Sequence, residues 1–311
     1  KINFILMGLK HFVESQQLDK EIIFNIFNIA DEFRKGNVEP LLRGKVLATL
    51  FYEPSTRTRL SFEAAMLKLG GSVISTENAK EFSSAIKGET LADSIRVVSS
   101  YADAIVMRHY EDGSAALASE ISKIPVINAG DGKGQHPTQA LLDIYTIYRE
   151  FGRLDGLKIA IVGDLASGRT ARSLCYLLGK FPGNEVVFLS PEHLKMKDDI
   201  KEYLTKHGVK FSEENNLDEV LPLVDVVDMT RVQKERITLD EYERARGKYV
   251  ITTNNFNLLK KSARILHPLP KIDEINLPIE LEEKDERIAY FRQAQNGLYI
   301  RMALLSYLMS N

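Results

Sequence analysis

A chain of 311 residues exceeds the size at which one hydrophobic core usually stops growing, so two α/β domains are expected. With 44% hydrophobic and 27% charged residues it has a globular composition, and a formal net charge of −2 excludes the strong basic excess on which nucleic-acid or membrane-surface binding rests. The one cysteine, Cys175, excludes a disulfide or a cysteine-built zinc site within the chain and fits a reducing cytoplasm.

The apolar run at the start, Lys1 to Gly8, is too short to span a bilayer and lacks a small-residue cleavage site. It is therefore not read as a signal peptide, and Met7 is an alternative natural start. A soluble, cytoplasmic protein is expected. From about Asp19 to Lys35, Ile22, Ile23, Ile26, Phe27, Ala30 and Phe33 form a helical stripe that Gly36-Asn37 ends. Lys45 to Tyr52 reads as a buried strand, followed by the polar turn Glu53 to Arg59, a helix from Leu60 to Leu69, Gly70-Gly71, and a strand from Ser72 to Ser75. Strand, turn, helix and strand in that order make a βαβ unit.

The pattern returns with Leu157 to Asp164 as a strand, Ala166 to Thr170 as a turn, Ala171 to Lys180 as a helix and Glu185 to Leu189 as the next strand. Two such halves predict two similar domains, each a mainly parallel sheet flanked by helices, facing one cleft. Pro137 to Glu150 predicts a helix joining them, and Phe291 to Met309 predicts a last helix. Gly297 inside that last helix costs roughly 1 kcal/mol relative to alanine, so close packing or a bend is expected there. The expected division is 1–137, completed by 289–311, and 138–288.

Ser55-Thr56-Arg57-Thr58-Arg59 puts three hydroxyls and two guanidinium groups between a strand and a helix N-terminus. Such a cluster suits a compact oxyanion such as phosphate, because guanidinium forks pair bidentately with it. The competing reading is an N-cap serine followed by surface arginines. Ser83 to Glu89, on its own residues, is a solvated loop. Arg108-His109 follows the strand-like Ala104 to Met107, where an arginine is often structural.

In Gly130 to Gln139, three glycines permit close backbone approach to a ligand, and Pro137 opens a helix just after His136. Positive potential there favours a neutral imidazole able to donate its N–H to a carbonyl, although a lone histidine is more often a satisfied structural residue. Thr230 to Arg236 taken alone reads as a charged surface helix. The two prolines of His267-Pro268-Leu269-Pro270 impose an extended, rigid turn.

Ser-Thr-Arg-Thr-Arg directly after an apolar strand resembles the carbamoyl phosphate signature of the aspartate and ornithine carbamoyltransferases, and the resemblance runs from about Lys10 to Asn311. It implies that Ser55, Thr56, Arg57 and Thr58 bind the phosphate of carbamoyl phosphate, with Arg57 stabilising it as it leaves, while Arg59 holds the loop. It implies that Thr58, Arg108 and His136 polarise the carbamoyl C=O as an oxyanion hole, that Gln139 binds the carbamoyl NH2, and that Pro268 and Leu269 offer it backbone carbonyls. Ser83 and Lys87 would reach the neighbouring subunit's site in a homotrimer, and Glu53 and Arg236 would act as the domains close. No metal and no cofactor are implied, and separate regulatory chains stay open.

Within the family, Arg169, Thr170, Arg231 and Gln233, with Lys87, would bind the two carboxylates of aspartate; paired arginines would repel the ammonium of ornithine. His-Pro-Leu-Pro also stands where the ornithine enzymes typically carry a cysteine. Two positions depart from the family pattern: Tyr110 replaces a proline, and Asp228 replaces a tyrosine or other uncharged residue, with Arg231 or Arg236 as its expected partner. Ornithine or another amine remains the alternative acceptor. A nucleotide-binding module is prompted by Ile161 to Gly168, which lacks Gly-x-Gly-x-x-Gly, and a non-catalytic assembly subunit is the third reading.

Overall fold

The computed structural model describes residues 8–79 and 88–309. The chain divides into two compact units, Lys1–Leu142 with Gln295–Asn311, and Asp143–Ala294. Each is a parallel sheet flanked by helices.

In the first unit, α1 (Lys20–Arg34) starts where the Asp19 side chain accepts the Ile22 N–H at 2.8 Å. It buries the predicted apolar stripe together with Ile29, each of the Ile and Phe side chains contributing roughly 1.5–3 kcal/mol. Then come β1 (Val46–Phe51), α2 (Thr56–Lys68), β2 (Ser72–Glu77), α3 (Leu91–Val98), β3 (Ala104–His109), α4 (Ser114–Ile121) and β4 (Val126–Asp131). The strands pair in the order β2–β1–β3–β4, all parallel. Central β1 and β3 have helices over both faces, which is why they read as near-continuous apolar runs, while the edge strand β2 carries exposed polar positions. Because the strands are parallel, the segments after β2, β1, β3 and β4 all leave from one edge of the sheet.

The second unit contains β5 (Lys158–Val162), α6 (Arg169–Leu178), β6 (Glu185–Leu189), α7 (Asp198–Lys206), β7 (Lys210–Glu214), α8 (Leu217–Val220), β8 (Val226–Met229), α9 (Leu239–Ala245), β9 (Ile251–Thr252), α10 (Thr253–Phe256), β10 (Arg264–Leu266), β11 (Ile275–Asn276) and α11 (Ile279–Lys284). Its main sheet has the order β10–β8–β5–β6–β7, again parallel, and β9 pairs with β11. One face packs Val162, Val187, Val227, Phe256, Ile265 and Tyr290 into a common core. α5 (Pro137–Phe151) and α12 (Tyr290–Met309) carry the chain across the unit boundaries.

Two helix starts differ from expectation in the same way. The first begins at Thr56 rather than Leu60, and the second at Arg169 rather than Ala171. Hydrophobic periodicity locates the packed turns of a helix, whereas its first turn is free to be polar because its N–H groups lack intrahelical partners. The Arg-Thr pairs therefore lie in first turns, not in the loops before them. The close packing expected at Gly297 is present, since a Cβ there would lie 2.6 Å from Arg301 Nη1 and 3.2 Å from Leu142 Cδ2. No helix among the described residues is long and apolar enough to cross a membrane.

Candidate functional site

The first unit assembles its polar residues where β1, β3 and β4 end. Ser55 is the N-cap of α2, yet its side chain makes no capping bond; its Oγ accepts from Arg108 Nη1 at 3.4 Å. Arg108 is brought there by the sheet, with its backbone paired to Phe51 and its carbonyl accepting the Tyr52 N–H at 2.9 Å. Its Nε also lies 3.3 Å from Glu53 Oε2, so Glu53 forms an ion pair within its own unit. Thr56 and Arg57 are exposed on the first turn of α2, and Thr58 is buried. Tyr110, which departs from the family pattern, stacks on His109 at 4.3 Å between ring centres, and Arg108 keeps its aim at Ser55 and Glu53.

Arg59 faces the other way. Its guanidinium lies 2.9 Å from Glu77, 3.1 Å from Ser75 Oγ and 3.5 Å from Glu63. Ser75 Oγ is 2.6 Å from Glu63 Oε1, and Thr49 Oγ1 is 2.8 Å from Ser75 and 2.9 Å from Glu63. This polar net ties the first two turns of α2 to β1 and β2.

After β4 the chain turns on Asp131, whose Oδ1 accepts from Asn128 Nδ2 at 3.0 Å and from the Gln135 N–H at 3.2 Å. The glycines here serve the loop itself. A Cβ at Gly132, which has φ +44°, would fall 1.8 Å from Asp112 Oδ1. The room expected for a ligand at that position is thus taken by Asp112. His136 is buried just before Pro137, its carbonyl accepts the Gln139 N–H at 3.0 Å, and its Nδ1 lies 3.3 Å from Thr138 Oγ1. Gln139 is buried on the next turn. Ser83 and Lys87 lie outside the described residues.

The second unit repeats the plan at the ends of β5, β8 and β10. Arg169 is buried at the first position of α6 and Thr170 is half-buried behind it. Both Gln233 Nε2 (3.2 Å) and Arg236 Nη1 (3.3 Å) donate to the carbonyl of Ser167, which gathers the β8 segment onto the β5 segment. Instead of a surface helix, residues 230–236 form an irregular stretch and one 3₁₀ turn, Lys234–Arg236. A Cβ at Gly163, φ +123°, would meet the Thr230 carbonyl at 2.1 Å, and one at Gly168 would meet the Asp164 carbonyl at 2.3 Å. Both glycines admit this chain's own backbone, which removes the feature that prompted a dinucleotide site.

Arg231 is half-buried and held by both carboxylate oxygens of Glu235. That contact keeps the guanidinium charged, raising its already high pKa, with burial opposing. Asp228 does not pair with Arg231 or Arg236 as expected. It is buried on β8, where burial first and the charge of Asp143 second push its carboxyl well above the usual range. Its Oδ1 has no hydrogen-bond partner among the described residues. A strand residue pointing into the sheet's covering layer cannot reach a segment beyond the strand end, so the proximity in sequence misleads.

After β10, Pro268 and Leu269 are half-buried, and Leu269 packs on the unit's core with φ +58°. His267 Nδ1 accepts the Leu269 N–H at 2.7 Å, while its Nε2 lies 2.7 Å from Glu274 Oε1. The His267 N–H donates to Gln293 at 2.8 Å, and Gln293 donates to Asp143 at 2.6 Å. Burial is the largest influence on Glu274 and opposes its ionisation, but the bond and charge of His267 together with backbone N–H donors hold the carboxyl below its ordinary range. Glu274, Gln293 and Asp143 escaped notice in the sequence, because their partners come from other elements; the acid within Leu141 to Tyr145 is the one local signal.

With this geometry in view, the family described as "Aspartate/ornithine carbamoyltransferase, carbamoyl-P binding domain" matches residues 10–149, and its "Asp/Orn binding domain" matches residues 155–308. A chloroplastic aspartate carbamoyltransferase of Arabidopsis thaliana is 56% identical over 97% of this chain and 78% of its own length. The aspartate carbamoyltransferase catalytic subunit of Aliivibrio salmonicida is 47% identical over 97% of both chains. Among solved structures, aspartate transcarbamoylase from Trypanosoma cruzi in complex with carbamoyl phosphate and aspartate is similar with a TM-score of 0.89 and 38% identity, covering 96% of this chain and 97% of that one.

Proposed function

The chain belongs to the aspartate/ornithine carbamoyltransferase family, and from that premise we propose that it transfers the carbamoyl group of carbamoyl phosphate to the amino group of L-aspartate. The products are N-carbamoyl-L-aspartate and phosphate, and the step commits carbon to pyrimidine synthesis. The observation that carries this reading is the near-full-length similarity, at 56% and 47% identity, to relatives named for aspartate as acceptor.

The first unit, with Ser55, Thr56, Arg57 and Thr58, binds the phosphate. The first turn of α2 supports this role: its amide groups have no side-chain cap, so they can meet an anion. Arg108, Thr58 and His136 take the carbamoyl oxygen, Gln139 the carbamoyl amino group, and Pro268 and Leu269 offer it carbonyl acceptors. Arg169, Thr170, Arg231 and Gln233 hold the carboxylates of aspartate. The neutral amine attacks the carbamoyl carbon, negative charge grows on the carbonyl oxygen against three preorganised donors, and phosphate departs onto Arg57. The leaving phosphate accepts the amine proton.

Ser83 and Lys87 complete the site of a neighbouring subunit, making the active form a homotrimer. Glu53 and Arg236 steady their segments within each unit and adjust on substrate binding. The lone, buried Cys175, whose thiol burial keeps protonated, supports a reducing compartment, read here as the cytoplasm. The test is formation of N-carbamoyl-aspartate from carbamoyl phosphate and aspartate, with ornithine as the competing acceptor. Turnover of ornithine without aspartate would overturn the assignment.

A further inference from the structure

The turn after β10 contains a hydrogen-bond arrangement that fixes more than a loop. The Leu269 N–H donates to His267 Nδ1 at 2.7 Å, so that nitrogen carries no proton. In a neutral ring the proton then sits on Nε2, which donates to Glu274 Oε1 at 2.7 Å. An imidazolium would set N–H against N–H and lose the Leu269 bond. Glu274 is buried and also accepts the Ile272 N–H at 3.0 Å. The ring cannot drift either, because its own backbone N–H is held by Gln293.

Leu269 is thereby gripped twice, through its N–H and through its side chain on the core, and it keeps a left-handed φ of +58° that a leucine adopts only under constraint. The N–H of Leu269 belongs to the same planar peptide as the C=O of Pro268, and in a trans peptide the two point in opposite directions. Fixing the N–H on the His267 ring therefore fixes the Pro268 carbonyl, directed away from that ring.

We propose that His267 is a positioning residue, locked by Glu274 in its Nε2–H tautomer, that aims the Pro268 carbonyl as acceptor for the amino group of carbamoyl phosphate. The proposal rests on the functional reading above. It differs from a structural role in one chemical respect: it concerns the amino group alone. Acetyl phosphate has a methyl group at that position and gives the carbonyl nothing to accept.

The test compares binding of carbamoyl phosphate and acetyl phosphate to wild type, His267→Ala and His267→Asn, each checked for a cooperative unfolding transition. The preference for carbamoyl phosphate should fall about tenfold in His267→Ala, the scale of one hydrogen bond. It should return to within about threefold of wild type in His267→Asn, whose side-chain oxygen can accept the N–H two residues on in an Asx turn. An unchanged preference in folded His267→Ala overturns the proposal, as does a loss that asparagine fails to restore. Nitrogen NMR of wild-type protein gives an arm independent of variant folding: a protonated Nδ1 at neutral pH overturns the tautomer lock. A wild-type protein that neither carbamoylates aspartate nor prefers carbamoyl phosphate overturns the functional reading first, and this proposal with it.

Discussion

Nη1 of Arg108 lies 3.4 Å from Oγ of Ser55, so the hydroxyl at the N-cap of α2 serves the guanidinium at the end of β3 and not its own helix. An N-cap serine that bonds its helix is worth about 1 kcal/mol. Ser55 makes no such bond, and Ser55→Ala should change unfolding stability by less than about 0.5 kcal/mol. The KM for carbamoyl phosphate should rise. Urea melts and initial rates check both halves; a full cap's loss of stability with KM unchanged would contradict the assignment.

Arg57 is exposed on the same helical turn, where truncating a side chain usually changes stability little. Arg57→Ala should keep its melting temperature while kcat falls on the order of 10²–10³, as for one lost preorganised charge stabiliser. Unchanged turnover would count decisively against its place at the departing phosphate.

The proposal that a homotrimer shares its sites between subunits predicts complementation. Neither Lys87→Ala nor His136→Ala protein should be active alone, but mixed trimers contain a site with both residues intact. Dissociating and reassociating the two variants together should recover part of the wild-type rate. No recovery in mixed trimers verified by native mass spectrometry rules out the trans contribution.

Asp228 predicts a pH signature. Its folded pKa stands above the unfolded value of about 3.9, so the stability linked to it is full below that pH and is lost as pH rises towards the folded pKa. Asp228→Asn cannot ionise and escapes that loss. Its stability advantage over wild type should widen from about pH 4 upward, by at most about 1.4 kcal/mol per pH unit, and then level off. Denaturant melts across the range provide the measurement. A constant difference would mean that Asp228 titrates like an exposed carboxyl.

Apolar periodicity and glycine punctuation made much of the fold legible. Asp19 and Gly36 bracket α1 to within a residue, and the last helix starts one residue before its predicted Phe291. The strand ends carrying Arg108, His136 and Arg231 were legible as motifs, because short polar runs after apolar strands stand out. What local patterns hide is contact across the chain. The use of Gly132 and Gly163 to admit Asp112 and Thr230, the hold of Gln293 on His267 and the burial of Asp228 beside Asp143 all join residues far apart in sequence. Helix starts were misplaced for a different reason: a first turn made of Thr, Arg and Thr has no apolar face to reveal it.

The net of Arg59, Glu63, Ser75, Glu77 and Thr49 has a mechanical meaning. A helix resting on a sheet through aliphatic contacts alone can slide or roll by fractions of an ångström, since dispersion is nearly indifferent to direction. Hydrogen bonds are not indifferent, and this group of them clamps α2 within one turn of Ser55, Arg57 and Thr58. It acts as a stiff pivot beside the helix tip, converting the directionality of five polar side chains into angular accuracy where tolerances of about half an ångström matter.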